Sequence, residues 1–501
     1  MSLTVPQRTV ADTGSFPVDP TGVAEWLNTL HGLSAGNDAR EVYRGLKHSN
    51  RLHNDVDRRR AVLTCFIPVL RELHQHLSEL TNAQPLPLTR EFMRNAKLRD
   101  SLLREEVFAF KLLLNDSKAP AAADARRAMR ALARQAESMI HGYRELPRGI
   151  LLDAHQLYQL AEEHDLVEEV AKVDNASMTS YDLHGKRESS IPETLADHYR
   201  YILLLYLADL RQQRVRQLPL LLTFLRECSR KISVEKLPAD TSDSLRYAVD
   251  LAHATSPEPA SSLLPDDKQS RRYFSLAPAI AHIETQLKSL QAGPGGLLGS
   301  DTLERQSLLR LHLALNRSRH RRAARTICHD ATRISFGHKE IANALMLSKT
   351  PEKDTDSRDN TSEWIIMNRS TQGCLITHPY CRAGLVQVGD IVSIGETTIG
   401  TVRWVHARGD NALDAGIEYL ARKVLPVNIT RLDAENDVAE KAMIIACKVE
   451  KQIMQTILLP AYLYQVGDRL LAAQDDKRRQ FLLQRCLQAN GLFSHFTLAD
   501  V

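Results

Sequence analysis

A chain of 501 residues with 43% apolar and 25% charged side chains has the composition of an ordinary globular protein of two or three domains, each able to bury a core. Its formal net charge of +4 is too small for wholesale coating of nucleic acid, so any basic partner site must be local. Seven scattered cysteines without a C-x-x-C pair argue against a zinc ribbon or disulfide framework; with no signal-peptide pattern at the N-terminus and no apolar run longer than 201–208, a cytoplasmic protein without a membrane span is expected.

Up to about residue 318 the periodicity predicts helix after helix, a region spanning 1–310. Over 55–80, Val62, Leu63, Phe66, Ile67, Leu70, Leu73 and Leu77 recur at three- and four-residue spacing and define one apolar face. Over 89–115, Leu102, Leu103, Val107, Phe110 and Leu114 repeat that pattern. Residues 121–143 are rich in strong helix formers, and 192–214 and 219–232 read as two further helices with proline near the first turn of each. Proline, serine and glycine mark internal linkers near 255–270 and 292–300. His74 and His76 fall on a helical stretch rich in polar residues, with no third ligand spaced to join them. Glu162-Glu163-His164-Asp165 reads as a charged helix end.

Beyond Arg325 the texture changes to short β-branched and aromatic runs separated by glycine and polar turns. Strands are predicted at 364–367, 374–377, 391–394, 398–407 and 415–420, then at 441–449, 456–464, 469–473, 480–486 and 492–498. The expected fold class is α+β multidomain: a helical N-terminal region, an antiparallel β-barrel over 317–425, and a second β-module over 440–501. Gly467-Asp468-Arg469-Leu470 in the last module echoes Gly389-Asp390-Ile391-Val392 in the first. That module is either a barrel without ligand or an extension of the first domain.

Two pieces at the boundary suggest a binding site. Arg317, Arg319, Arg321, Arg322 and Arg325 form a cluster with no acidic residue inside it, and such like charges repel unless an anion neutralises them. A guanidinium fork can grip phosphate or the O6 and N7 edge of guanine. The cluster alone suits a solvated basic linker better than a site. Some 40 residues on, Asn368-Arg369-Ser370-Thr371-Gln372-Gly373 supplies an amide for a base edge, a hydroxyl, and a residue without a Cβ.

Together these pieces resemble the PilZ domain, a bacterial receptor module for cyclic di-GMP. Arg321-Arg322-Ala323-Ala324-Arg325 is similar to the family's R-x-x-x-R segment, and Asn368-x-Ser370-x-x-Gly373 to its [D/N]-x-S-x-x-G. Gly389-Asp390, Gly400-Thr401-Val402-Arg403-Trp404 and Gly416-Ile417-Glu418-Tyr419 are similar to three of its strands. The resemblance covers 317–422 and implies a six-stranded barrel. It also implies ligand contacts from Arg321, Arg322, Arg325, Asn368, Ser370 and Gly373, with Arg317 and Arg369 as accessories. It further implies a non-catalytic cyclic di-GMP effector, with no cofactor, that relays binding to a protein partner in pilus, motility or biofilm control.

The chain departs from the pattern in two respects: a polar insert at 348–360 lengthens the gap between the two elements, and Asn368 stands where aspartate is commoner. The register is also open, because Arg317-x-x-x-Arg321 fits as well. Two other readings stay open. One is an interaction scaffold that has lost the nucleotide. The other, disfavoured by the weak net charge, is a nucleic-acid module with Trp364 or Trp404 stacking on bases. Neither metal-ligand nor nucleophile spacing supports an enzyme, and Cys374 and Cys381 have no identifiable histidine partner.

Overall fold

The computed structural model describes residues 2–8, 14, 16–30, 35–81, 86, 89–170, 193–236, 244–262, 269–292, 300–316, 324–347, 361–381, 384–395, 397–409, 412–432, 438–450, 452–474 and 477–501. Among the described residues eight helices come first: α1 (Pro20–Thr29), α2 (Ala35–Arg51), α3 (Val56–Thr81), α4 (Arg90–Asp116), α5 (Ala122–His141), α6 (Arg148–Glu163), α7 (Leu195–Leu207) and α8 (Leu218–Ser229). Their ends carry recognisable stops and starts. Thr89 caps α4 by accepting from the Phe92 N–H, and Thr194 and Asp197 form a reciprocal capping box on α7. The apolar faces of α3 and α4 point inward as their spacing predicts; Ile67 alone of those residues is only partly buried. Alanines at 125, 128, 133 and 136 leave α5 thin enough to pack closely against its neighbours.

Several details differ from the sequence expectation. The helix predicted over 192–214 ends at Leu207, where Asp209 takes a left-handed conformation and two 3-10 turns, Leu210–Gln212 and Val215–Gln217, follow. The helical region also contains a three-stranded antiparallel sheet, order β2-β1-β3, of β1 (Arg246–Asp250), β2 (Glu258–Pro259) and β3 (Arg271–Ser275). Helices α9 (Ala277–Ala292) and α10 (Ser300–Asn316) complete it. His74 is buried, not on a polar surface, and bonds Glu106 at 3.0 Å. Glu162 and Glu163 do end α6, and Glu162 is held by a forked contact from Arg272 on β3.

The remainder forms two closed antiparallel barrels. The first contains β4 (Thr326–Phe336), β5 (Thr361–Arg369), β6 (Gly373–His378), β7 (Ile391–Ile394), β8 (Thr398–Arg408) and β9 (Ala412–Ala421), with helix α11 (His338–Leu347) between its first two strands. The second contains β10 (Val424–Arg431), β11 (Glu440–Val449), β12 (Gln452–Pro460), β13 (Arg469–Gln474), β14 (Lys477–Ala489) and β15 (Phe493–Asp500). Counting strands from the start of each barrel, both close in the order 1-2-3-6-5-4. The final module is therefore a barrel with the topology of the first, not an extension of it.

The repeat extends to one corner. Gln387-Val388-Gly389-Asp390 and Gln465-Val466-Gly467-Asp468 are identical in sequence and occupy the same place before the fourth strand. Both glycines have a φ near +90°, which favours glycine, and each donates to the fifth strand: Gly389 N to Val402 O at 2.7 Å, Gly467 N to Leu483 O at 2.8 Å. Each aspartate carbonyl takes the return bond, from Val402 N at 2.9 Å and from Leu483 N at 3.0 Å.

Apolar packing is uneven across the chain. The helices and the first barrel share one continuous core, in which Leu86, Val386 and Val388 join the helical side to Trp364, Val402 and Val405. The second barrel encloses its own core around Ile444, Ile457, Phe481 and Phe496. It meets the first across a separate seam, where Ile341 and Ala342 of α11 and Ile391 and Ile399 of the first barrel face Met443, Ile445, Leu458 and Phe493.

Candidate functional site

Strand pairing brings the two halves of the proposed site together. Strand β4 opens immediately after Arg325 and runs antiparallel to β5, so that Thr326 pairs with Arg369 and Ile327 with Asn368. Across that pairing Arg325 Nη1 donates to Asn368 Oδ1 at 3.2 Å, although 43 residues separate them. Arg325 is exposed and Asn368 half-buried, so the hydrogen bond holds a solvent-accessible guanidinium at the barrel edge. Two β-bulges bracket this spot, one in β4 between Ile327 and Asp330 and one in β5 between Ile366 and Asn368. An extra residue in a strand re-aims the side chains beyond it, and bulges concentrate where a surface is adapted for binding.

Ser370 and Gly373 shape the turn that follows. The Ser370 hydroxyl accepts from Gln372 N and Gly373 N, both at 3.2 Å, and donates to Gly373 O at 3.1 Å. Its capacity is spent inside the turn, so its contribution to the site is to fix the turn's shape. Gly373 has no positive φ; close approach is what requires glycine there. A Cβ would lie 2.0 Å from the backbone oxygen of Ile417 on β9.

Sequence reasoning named Arg369 as an accessory but missed the other neighbours that complete the surface. Arg369 pairs with Asp330 at 3.1 Å, and both side chains are about half exposed. Arg403 pairs with Glu418 at 2.5 Å, and Glu418 lies opposite Gly373 in the ladder. Ile327, 79% exposed, presents an apolar side chain directly beside Asn368. Beneath the turn, Cys374 and Tyr419 share a hydrogen bond, and burial raises both the thiol and the phenol. Ile327 carried no signal beyond its place next to the arginines, and the acidic partners could be found only through strand register. Arg317, Arg321 and Arg322, like the polar insert at 348–360, lie outside the described residues.

Other candidates change standing. Trp364 is fully buried between Phe336 and His378, at centroid distances of 5.4 and 5.1 Å, so it cannot stack on a nucleic-acid base. Trp404 lies across Gly416, where a Cβ would meet its indole nitrogen at 2.0 Å; the glycine of the G-I-x-Y strand makes room for the tryptophan of its neighbour. Cys374 and Cys381 are both buried, and burial pushes the Cys381 thiol up to about 12, which suits packing more than chemistry. Among the described residues no group of three or more His, Cys, Asp and Glu side chains could hold a metal. Nor, among them, is any helix long and apolar enough to cross a membrane.

The second barrel differs at the matching turn. Its β11–β12 connection, in the position of the Asn368–Gly373 turn, is the short hairpin from Val449 to Gln452 and carries no Asn-x-Ser-x-x-Gly.

The helical region matches a known family. Residues 21–240 fit the family model described as Cyclic-di-GMP receptor FimW, N-terminal domain. The family match lies in the helices, not in the barrels. Over 99% of its own length and 93% of the relative's, the chain is also 21% identical to the Cyclic-di-GMP receptor FimW of Pseudomonas aeruginosa. That similarity is distant but runs end to end, so it includes the barrel edge. The relative is named as a receptor, not as an enzyme. No solved structure matches the chain.

Proposed function

We propose that this protein is a non-catalytic receptor for cyclic di-GMP, and that the nucleotide is held at the edge of the first barrel where β4 begins and β5 ends. The observation that carries the reading is the Arg325–Asn368 contact, which assembles two sequence-distant elements on one exposed face. The end-to-end similarity to a cyclic-di-GMP receptor supports it. In this reading Arg325, with Arg321 and Arg322, supplies forked donors to phosphate oxygens and to the O6 and N7 of guanine. Asn368 addresses a guanine edge while its oxygen holds Arg325 in place. Ser370 and Gly373 set the turn that presents Asn368. Ile327 offers an apolar surface to a planar base.

Arg317 and Arg369 are accessory ligands. The exposed Arg369–Asp330 pair contributes little to stability, on the order of 0–1 kcal/mol, so exchanging its carboxylate for a phosphate costs little. The receptor would act in the cytoplasm and pass ligand binding to a protein partner, with pilus, motility or biofilm control as the output.

A ligand that binds only the folded state stabilises it by about 2.7 kcal/mol at a hundredfold excess over Kd. Thermal unfolding of the full chain should therefore shift upward with cyclic di-GMP and stay put with GTP or cyclic di-AMP. Equal shifts with all three nucleotides, or none with any, would count against the reading.

A further inference from the structure

We propose that Arg214 is a lock holding the second barrel to the rest of the molecule, and that nucleotide at the Arg325–Asn368 edge acts by changing this lock. The ligand part rests on the receptor reading above; the lock itself stands on its own geometry. Arg214 lies between the two 3-10 turns that join α7 to α8, so its backbone belongs to the helical region. Its guanidinium leaves that region. Nε donates to Val388 O of the first barrel at 3.2 Å, and Nη1 donates to Asn490 O in the β14–β15 turn of the second. One planar fork thus touches all three parts of the chain.

The surrounding contacts converge on the same point. Asn490 Nδ2 donates to Gly389 O at 2.8 Å, tying the two barrels directly, while its Oδ1 accepts from Leu492 N and Phe493 N and fixes the turn. From α10, Gln306 Nε2 reaches Ala489 O at 3.2 Å and Arg310 Nη1 reaches Gln212 O at 3.2 Å. Burial, with the like charges of Arg403 and Arg214 nearby, brings Arg310 down to about 10.

The two barrels provide an internal comparison. At the shared Gln-Val-Gly-Asp corner, a Cβ on Gly389 would meet Arg214 Nη2 at 2.7 Å, whereas a Cβ on Gly467 would meet nothing within 4 Å. The same corner is filled by the lock in one barrel and open in the other. The helices and the first barrel share one core, while the second barrel has its own and meets the first across the α11 seam, so Arg214 adds a tie from the helical region that neither core provides.

A short path runs from the candidate site to the lock. Gly373 pairs with Glu418 on β9, Glu418 pairs with Thr401 on β8, and the adjacent Val402 exchanges hydrogen bonds with the Gly389–Asp390 corner beneath Arg214. Arg403, beside Val402, ties the two strands again through Glu418. Coupling along this path is a change at one place caused by binding at the other.

Hydrogen exchange on the full chain, with and without saturating cyclic di-GMP, reads this out. In the wild type, nucleotide should change exchange in peptides covering 388–393 and 489–494. In Arg214→Ala, and in the milder Arg214→Lys that keeps the charge but loses the fork, the nucleotide should still bind, with affinity altered no more than about tenfold, the range of a typical coupling energy. The change in 489–494 should vanish in both variants. Binding by the wild type without a change at these peptides, or an undiminished change in both variants, would overturn the lock and leave the receptor reading intact. Complete loss of binding in a folded Arg214→Lys would overturn it too, because the residue would then belong to the ligand site. Absence of binding by the wild type would overturn the receptor reading and, with it, the control of the lock by nucleotide.

Discussion

Replacing Gly373 with alanine should force two strands of the first barrel apart at the candidate site. The new Cβ would sit 2.0 Å from Ile417 O, 3.1 Å from Ile417 C and 3.3 Å from Glu418 Cα, all backbone atoms that no rotamer change can move. Side-chain carbons essentially never approach other heavy atoms within 3.0 Å, so β6 and β9 must separate by roughly 1 Å at this end. The pairing of Gly373 with Glu418, and the bond from Tyr419 N to Gln372 O at 2.9 Å, lie in the path of that movement. Losing two or three such bonds at about 1 kcal/mol each, with about 1–2 kcal/mol of packing strain, gives a local cost of roughly 3–5 kcal/mol. Hydrogen exchange at the Tyr419 amide should accelerate by at least about a hundredfold, since each 1.4 kcal/mol is a factor of ten. Gly149→Ala is the control: Gly149 lies in α6 with nothing within 4 Å of the new carbon, so the change should be neutral or stabilising by up to about 1 kcal/mol and leave Tyr419 untouched. Tyr419 exchange within about threefold of wild type in Gly373→Ala would refute the steric reasoning, because so small a change is about 0.6 kcal/mol.

Asp390 offers a pH test. Burial pushes its carboxyl up to about 7 against the opposing Ile391 N–H and Arg214. A raised folded-state pKa gives stability that is present below the unfolded value near 4 and is lost as pH rises through 7; Asp390→Asn should match wild type near pH 4 and exceed it at pH 8 by up to about 4 kcal/mol. Denaturation midpoints of the two proteins that stay parallel from pH 4 to 8 would exclude that shift. Asn368→Asp should strengthen the Arg325 contact by adding charge and tighten cyclic di-GMP binding about five- to tenfold; unchanged or weaker binding on calorimetric titration would contradict the role given to Asn368. Glu450→Ala in the second barrel's β11–β12 hairpin should leave nucleotide affinity within about twofold, and a larger loss would move the site to the other barrel.

Where the sequence carried a strong local period, the structure followed it. Val62, Phe66, Leu70 and Leu77 on α3, and Leu102, Leu103, Val107, Phe110 and Leu114 on α4, are buried as their spacing predicts, although α4 goes further and buries every residue from Ala109 to Leu114. Short strands inside the β-rich part were legible, β7 at Ile391–Ile394 to the residue, but isolated short elements were not. The runs that form β1 and β3 are five residues each and sit between helices, and β10 carries Pro426, a residue that ordinarily argues against a strand. The ten-residue helix α11 lies in a stretch whose surroundings read as β. At the site, the residue types of the Asn368–Gly373 turn could be read directly, yet their roles could not. Ser370 bonds inward and Gly373 is required by a strand far along the chain, facts that belong to register and packing. The Arg214 lock left no sequence signal, since its partners at Val388 and Asn490 are 174 and 276 residues away.

The central claim is that the arginine segment and the Asn368 turn form one nucleotide clamp. Calorimetric titration of the full chain with cyclic di-GMP, beside the double variant Arg321→Ala/Arg325→Ala, tests it most directly. Saturable heat from the wild type at micromolar concentrations, abolished in a variant that remains folded, is the expected result. No heat from the wild type, or the same isotherm from both proteins, would contradict it.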